Sequence, residues 1–117
     1  MPDDRLSAIE REIAKLCQSF AASLPERRDA LIAGWSAFEN SGWKGVGADQ
    51  LYRAAHSLAG SAATFDFANL GRHARVLTDH LHALIDRANV TSDDRTKAQQ
   101  MLGELLAELS KEIEARR

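Results

Sequence analysis

The chain has 117 residues, 44% hydrophobic and 27% charged, which is enough for one domain with one core and ordinary for a soluble globular protein. Its 15 basic and 17 acidic side chains leave a net charge of −2, without the basic excess that a general nucleic-acid binder needs. The single cysteine, Cys17, excludes an internal disulfide and any multi-cysteine zinc site, and no apolar run approaches the roughly 20 residues that span a bilayer.

The start, Met-Pro-Asp-Asp, has no basic region followed by an apolar run, so no signal peptide is expected. With one unpaired cysteine, a reducing, cytoplasmic home is expected. Helical periodicity dominates, and no stretch alternates like a strand. The first helix is expected from about Asp3 to Ala22, where Leu6, Ile9, Ile13, Leu16 and Phe20 form one apolar stripe at three- and four-residue spacing. Cys17 beside that stripe reads as a small buried hydrophobe.

A break follows at Ser23-Leu24-Pro25-Glu26. Proline suits the first helical position, and Ser23 with Glu26 has the spacing of a capping box. The second helix turns Leu24, Leu31, Trp35 and Phe38 inward. It ends in a glycine-rich loop, residues 40 to 47, without the spacing of a phosphate-binding P-loop. The Arg27–Arg28 and Arg116–Arg117 pairs read as solvated surface.

The third helix is expected from about Ala48 to Phe65, with Asp66 in the left-handed turn that ends it. A fourth spans about Ala68 to Ala88 with Leu70, Leu77, Leu81 and Leu84 on one side. Thr91 or Ser92 can cap the last helix, about Asp93 to Ala115, which buries Ala98, Met101, Leu102, Leu105, Leu109 and Ile113. Five helices with short connections make an all-α fold: an antiparallel up-and-down four-helix bundle over residues 23–117, with the helix of residues 1–22 added. That added helix is expected across one end of the bundle or along a groove.

The third helix carries the candidate site. At roughly 100° per residue, Leu51, Ala55, Leu58, Ala62 and Phe65 share the core side, and His56 lies roughly 140° away from it. His56 therefore points outward. Its neighbours one turn away are Tyr52, Arg53, Ala59 and Gly60, with Ala63 a turn further on. Gly60 inside a helix costs on the order of 1 kcal/mol relative to alanine. Small residues beside an exposed histidine leave room for another protein to press against the ring; close packing of another helix on that face is the alternative. Neutral imidazole is nucleophilic near pH 7, because its ordinary pKa is about 6.5. An exposed ring with a docking surface suits phosphoryl transfer and needs no deep pocket.

The run Ala55-His56-Ser57-Leu58-Ala59-Gly60-Ser61-Ala62-Ala63-Thr64-Phe65 resembles the signature of histidine-containing phosphotransfer (HPt) domains, and the likeness extends through residues 68 to 77. The resemblance implies a four-helix bundle with an added N-terminal helix. It implies that His56 is phosphorylated on Nε2, that Gly60 clears space for the phosphoryl group, and that Leu58 and Ala62 pack inward. The implied partners are response-regulator receiver domains, of a hybrid sensor kinase and a response regulator, which supply the Mg²⁺ and most of the catalysis. The chain itself is then a carrier in a multistep phosphorelay, not an enzyme. Two positions depart from common members. The lysine three residues after the histidine is Ala59 here, so charge comes from elsewhere, from Arg53 or Arg75, or is absent. The glutamine or glutamate that holds the ring nitrogen appears as Thr78.

The other histidines offer less. His73 reads as a boundary residue, His80 and His82 diverge on their helix, and Asp79 completes no ligand spacing. No cofactor, metal, nucleic acid or membrane is expected as a partner. The starting methionine and the charged C-terminus favour a free-standing protein, taken as a monomer. The rival readings are a non-catalytic helical adaptor or dimerisation module, and a degenerate HPt fold that only docks receivers.

Overall fold

The computed structural model describes residues 2–116, with side chains from residue 5 to 116. Five α-helices follow one another: α1 (Pro2–Ala22), α2 (Leu24–Asn40), α3 (Asp49–Thr64), α4 (Ala68–Ile85) and α5 (Ser92–Glu114). A 3₁₀ turn, Gly45–Ala48, leads into α3, and the described residues hold no strand. α3 packs between α2 and α4, α5 lies on α4, and α2 meets α5 to close the ring. The core between them takes the stripes read from the sequence: Leu24, Leu31 and Phe38 from α2, Leu51, Ala55, Leu58 and Ala62 from α3, Leu70, Leu77, Leu81 and Leu84 from α4, and Ala98, Leu102, Leu105, Leu109 and Ile113 from α5. Trp35, Phe65 and Met101 are only half-buried, at the rim of that core.

Two close approaches set the spacing of the helices. A Cβ on Gly34 would stand 2.7 Å from the Leu51 Cα, so α2 meets the backbone of α3 directly. A Cβ on Gly45 would collide with the carbonyl oxygens of Leu84 and Arg87, so the turn before α3 seats against the end of α4. α4 stops at Ile85 and not near Ala88, because the Arg87 N–H folds back onto the Leu84 carbonyl. The α3 end has the expected left-handed residue: Asp66 has φ 64°, and the Phe67 N–H reaches the Ala62 carbonyl at 2.9 Å.

Capping divides between success and failure. Thr91 and Asp94 form a reciprocal capping box at the start of α5. Ser23 and Glu26 do not. Ser23 stays helical, at φ −82° and ψ −9°, and its hydroxyl donates to the Phe20 carbonyl instead. The chain thus runs almost continuously from α1 into α2. Arg27 is not idle surface either. It lies over the Phe20 ring, and its guanidinium donates to Ser57 and Ser61 of α3. Arg116 covers Phe67 and pairs with Glu112 at 2.7 Å, while Arg117 lies outside the described residues.

α1 departs most from expectation. Only its last turn joins the core, where Phe20 sits against Phe65 and Phe67 with ring centroids 5.5 and 5.0 Å away. Leu6, Ile9, Ile13 and Leu16 are 52–59% exposed. Cys17 is half-exposed rather than buried. The molecule is 62 Å long, whereas a helix of the length of α5 accounts for about 35 Å. α1 therefore projects beyond the bundle and does not lie across its end or in a groove.

Two predictions follow from burial and capping. Leu58→Ala should lower unfolding free energy by about 2–5 kcal/mol, as for a buried leucine, and Ile13→Ala should change it by less than about 0.5 kcal/mol. Equal losses in urea titration would contradict this placement of α1. The second prediction concerns Asp94. Hydrogen bonding from the Thr91 side chain, then the Thr91 N–H and the charges of Arg87 and His80, hold its carboxyl below the ordinary value of 3.8 against the opposing effect of burial. A lowered folded pKa contributes stability that is complete above the ordinary value and lost as pH falls through the folded one. Asp94→Asn should therefore melt below wild type at pH 7, with the gap closing as pH drops below 3.8. A gap that widens in acid would reject this role.

Candidate functional site

His56 stands on the outward face of α3, exposed, while Leu51, Ala55, Leu58 and Ala62 of the same helix are buried. Helical geometry makes the two facts one: fixing the apolar side inward fixes the imidazole outward. Among the described residues, no hydrogen bond or ion pair engages either nitrogen of the ring. Its recorded neighbour is Tyr52, one turn back, whose ring stacks on it at 5.6 Å between centroids and 15° between planes.

Beside His56 lies an open cleft of about 650 Å³ between α3 and α4. Its α3 wall is His56, Ala59, Gly60 and Ala63; its α4 wall includes Gly71, Arg72, Arg75, Thr78 and Asp79. The question left by the sequence was whether Gly60 makes room for a neighbouring helix. It does not: a Cβ on Gly60 would find nothing within 4 Å. The opening is toward solvent.

The cationic candidates separate. Arg53 is bound to Asp49 at 2.7 Å and does not line the cleft. Arg75 lines it and has no hydrogen bond or ion pair among the described residues. Arg72, absent from the sequence reading, also lines the cleft and donates to Asn69 at 2.6 Å. Both belong to one exposed side of α4, three residues apart, so that polar stripe on α4 was the signal that could have found Arg72. Asp79, dismissed as a metal ligand, shares that outer side and lines the cleft as well.

Thr78 is in the wall, and no hydrogen bond joins it to His56 among the described residues. It is buried at 7% exposure, and its hydroxyl donates to the Ala74 carbonyl at 2.7 Å. That intrahelical bond commits the hydroxyl proton and leaves the oxygen as an acceptor. Of the other histidines, His73 is half-buried as expected, and the His80 Nε2 meets the Asp94 carbonyl at 3.0 Å, which ties α4 to the start of α5. His82 is exposed, with its ring 5.8 Å from that of Tyr52. No three His, Cys, Asp or Glu side chains group to hold a metal ion among the described residues. Among the described residues, no helix is long and apolar enough to cross a membrane.

This arrangement presents a nucleophilic ring beside a shallow apolar floor, with an unpaired guanidinium across the cleft. It can accept a compact anionic group on a nitrogen while a second protein covers the cleft. Comparison with known proteins meets the site at this point. Residues 15–117 match the family model described as Hpt domain. Neither the curated proteins nor the solved structures gave a match.

Gly60 yields a prediction that needs no partner. With open space at the Cβ and a helical backbone, Gly60→Ala should raise unfolding free energy by about 0.5–1 kcal/mol. A destabilised Gly60→Ala protein in denaturant titration would mean that the face is packed and not open.

Proposed function

The chain belongs to the Hpt domain family, which places it in phosphorelay signalling, and from that premise we propose that His56 carries the phosphoryl group. His56 accepts it from the phosphoaspartate of one receiver domain and passes it to an aspartate of another. The observation that carries this reading is the exposed His56 ring, with neither nitrogen engaged, at the edge of a cleft floored by Ala59, Gly60 and Ala63.

In the forward step, a ring nitrogen gives its lone pair to phosphorus. The acyl P–O bond breaks, and the aspartate leaves as a carboxylate with that electron pair. The second ring nitrogen keeps its proton. Return of the group to a receiver aspartate reverses each change. An intact acyl phosphate is reactive already, so the work of the chain is exposure, orientation and charge compensation. Arg75 is the group we assign to compensate the phosphoryl oxygens, because Arg53 is held by Asp49 and Arg75 is unpaired in the cleft. Ala59, Gly60 and Ala63 give the floor on which a receiver seats, Tyr52 and Arg53 extend that face along α3, and Thr78 shapes the opposite wall. The receiver brings the Mg²⁺, in keeping with the resemblance.

The fold belongs to the same reading. The order in which α2, α3, α4 and α5 contact one another supports an antiparallel up-and-down four-helix bundle, with α1 added, as one domain over residues 1–117. A carrier role, cytoplasmic and without cofactor of its own, is the matching proposal.

Incubation with a phosphorylated receiver should transfer label to the wild type that is acid-labile and base-stable, and His56→Gln should take up none. A wild type that stays unlabelled beside a competent receiver rejects the phosphorelay reading. Label that persists in His56→Gln rejects the assignment to His56. Arg75→Ala should slow transfer about tenfold, the scale of one lost charge-assisted contact. A rate matching wild type would remove Arg75 from the site.

A further inference from the structure

We propose that Tyr52 is a positioning residue for His56, holding the imidazole by its ring face and favouring the charge that the ring gains on phosphorylation; this rests on the reading of His56 as the acceptor. The two side chains are one turn apart on α3, with centroids 5.6 Å apart and planes 15° from parallel. An exposed histidine ordinarily samples several rotamers, and each must be given up before an in-line approach to phosphorus. Stacking restricts the ring without engaging a nitrogen, because the lone pair and the N–H lie in the ring plane and the contact is made through the π face. Both nitrogens stay open to a receiver.

Tyr52 is itself held. It is half-buried and packs against the edge of the core, and its ring lies 5.8 Å from that of His82 of α4. The stack is thus referenced to the bundle and not to another mobile surface group. Thr78, by contrast, has its hydroxyl proton on the Ala74 carbonyl. His56 has no hydrogen-bond partner among the described residues, so the Tyr52 stack is the contact that orients the ring.

The chemistry adds a second effect. As the N–P bond forms and the acyl P–O bond breaks, the ring retains its remaining N–H and acquires formal positive charge. The face of a tyrosine ring attracts a cation more than a neutral ring. The stack therefore strengthens toward the transition state, which is the condition for an interaction to raise a rate and not only an affinity.

The variants for the test are Tyr52→Leu, which keeps apolar packing against the core, and Tyr52→Phe, which keeps the ring. In single-turnover transfer from a phosphorylated receiver, Tyr52→Leu should lower the rate at saturating receiver about tenfold, beyond any change in apparent affinity. Tyr52→Phe should restore the rate. In the unphosphorylated protein, the His56 ring protons should show the upfield shift of a stacked neighbour in wild type and Tyr52→Phe, and lose it in folded Tyr52→Leu. Wild-type rate at saturation in Tyr52→Leu overturns the proposal. So does a loss of affinity with the saturated rate unchanged, which would make Tyr52 a docking contact and nothing more, and so does an unchanged ring-proton shift. A wild type that takes no label at all overturns the assignment of His56 instead, and the two failures are separate.

Discussion

Close contact with α2 and α4 fixes the rotation of α3 about its own axis, and the site depends on that rotation. Gly34 brings the α2 backbone against Leu51, and on the α4 side a Cβ at Gly71 would stand 3.5 Å from the Ala62 Cβ, an ordinary contact distance. Between them Leu51, Ala55, Leu58 and Ala62 are fully buried. A helix locked along one side has no freedom on the other. A turn of α3 by one residue would take His56 away from the cleft and drive polar side chains into the core. The direction of one imidazole is therefore a consequence of packing on the opposite face.

Glycines in this chain act in opposite ways. Gly34 and Gly45 are small because another backbone occupies the place of a side chain. Gly60 is small with nothing opposite it, at the cost of helix propensity. The open face beside Gly60 is the one on which we propose that a receiver seats. The cleft beside it is bounded by α4, whose outer side turns Arg72, Arg75 and Asp79 toward His56. The buried side of α4 carries Leu70, Leu77, Leu81 and Leu84. One helix thus contributes both to the core and to the electrostatics of the site.

α1 follows a different logic. Its apolar stripe runs in line with Phe20, yet only Phe20 is covered. The stretch from Leu6 to Leu16 extends past the bundle, and the family match begins within the helix at residue 15. The polar flanks mix Arg5, Glu10, Arg11, Glu12 and Lys15, so neither sign of charge prevails along it. An isolated helix of this length is marginal in water. Its anchorage at Phe20, Phe65, Phe67 and Arg27 is what joins it to the folded body.

The sequence by itself determined the number and order of the helices, the buried stripes of α2 to α5, the left-handed Asp66 and the outward direction of His56. These are all set by local periodicity and turn chemistry, which act over one or two turns of chain. It also held the family signature around His56. What it did not determine was which apolar stripe finds a partner, whether Gly60 faces a helix or solvent, or which arginine is unpaired. Leu6 and Leu58 look alike in their periodic pattern, and only tertiary contact buries one and exposes the other. Arg53 and Arg75 differ because Asp49 lies one turn from the first, while helix α4 turns the second toward the cleft. Ser23 failed to cap because α1 and α2 run on almost without a break. Those outcomes depend on residues far apart in the chain or on the path of the backbone between helices, and packing decides them.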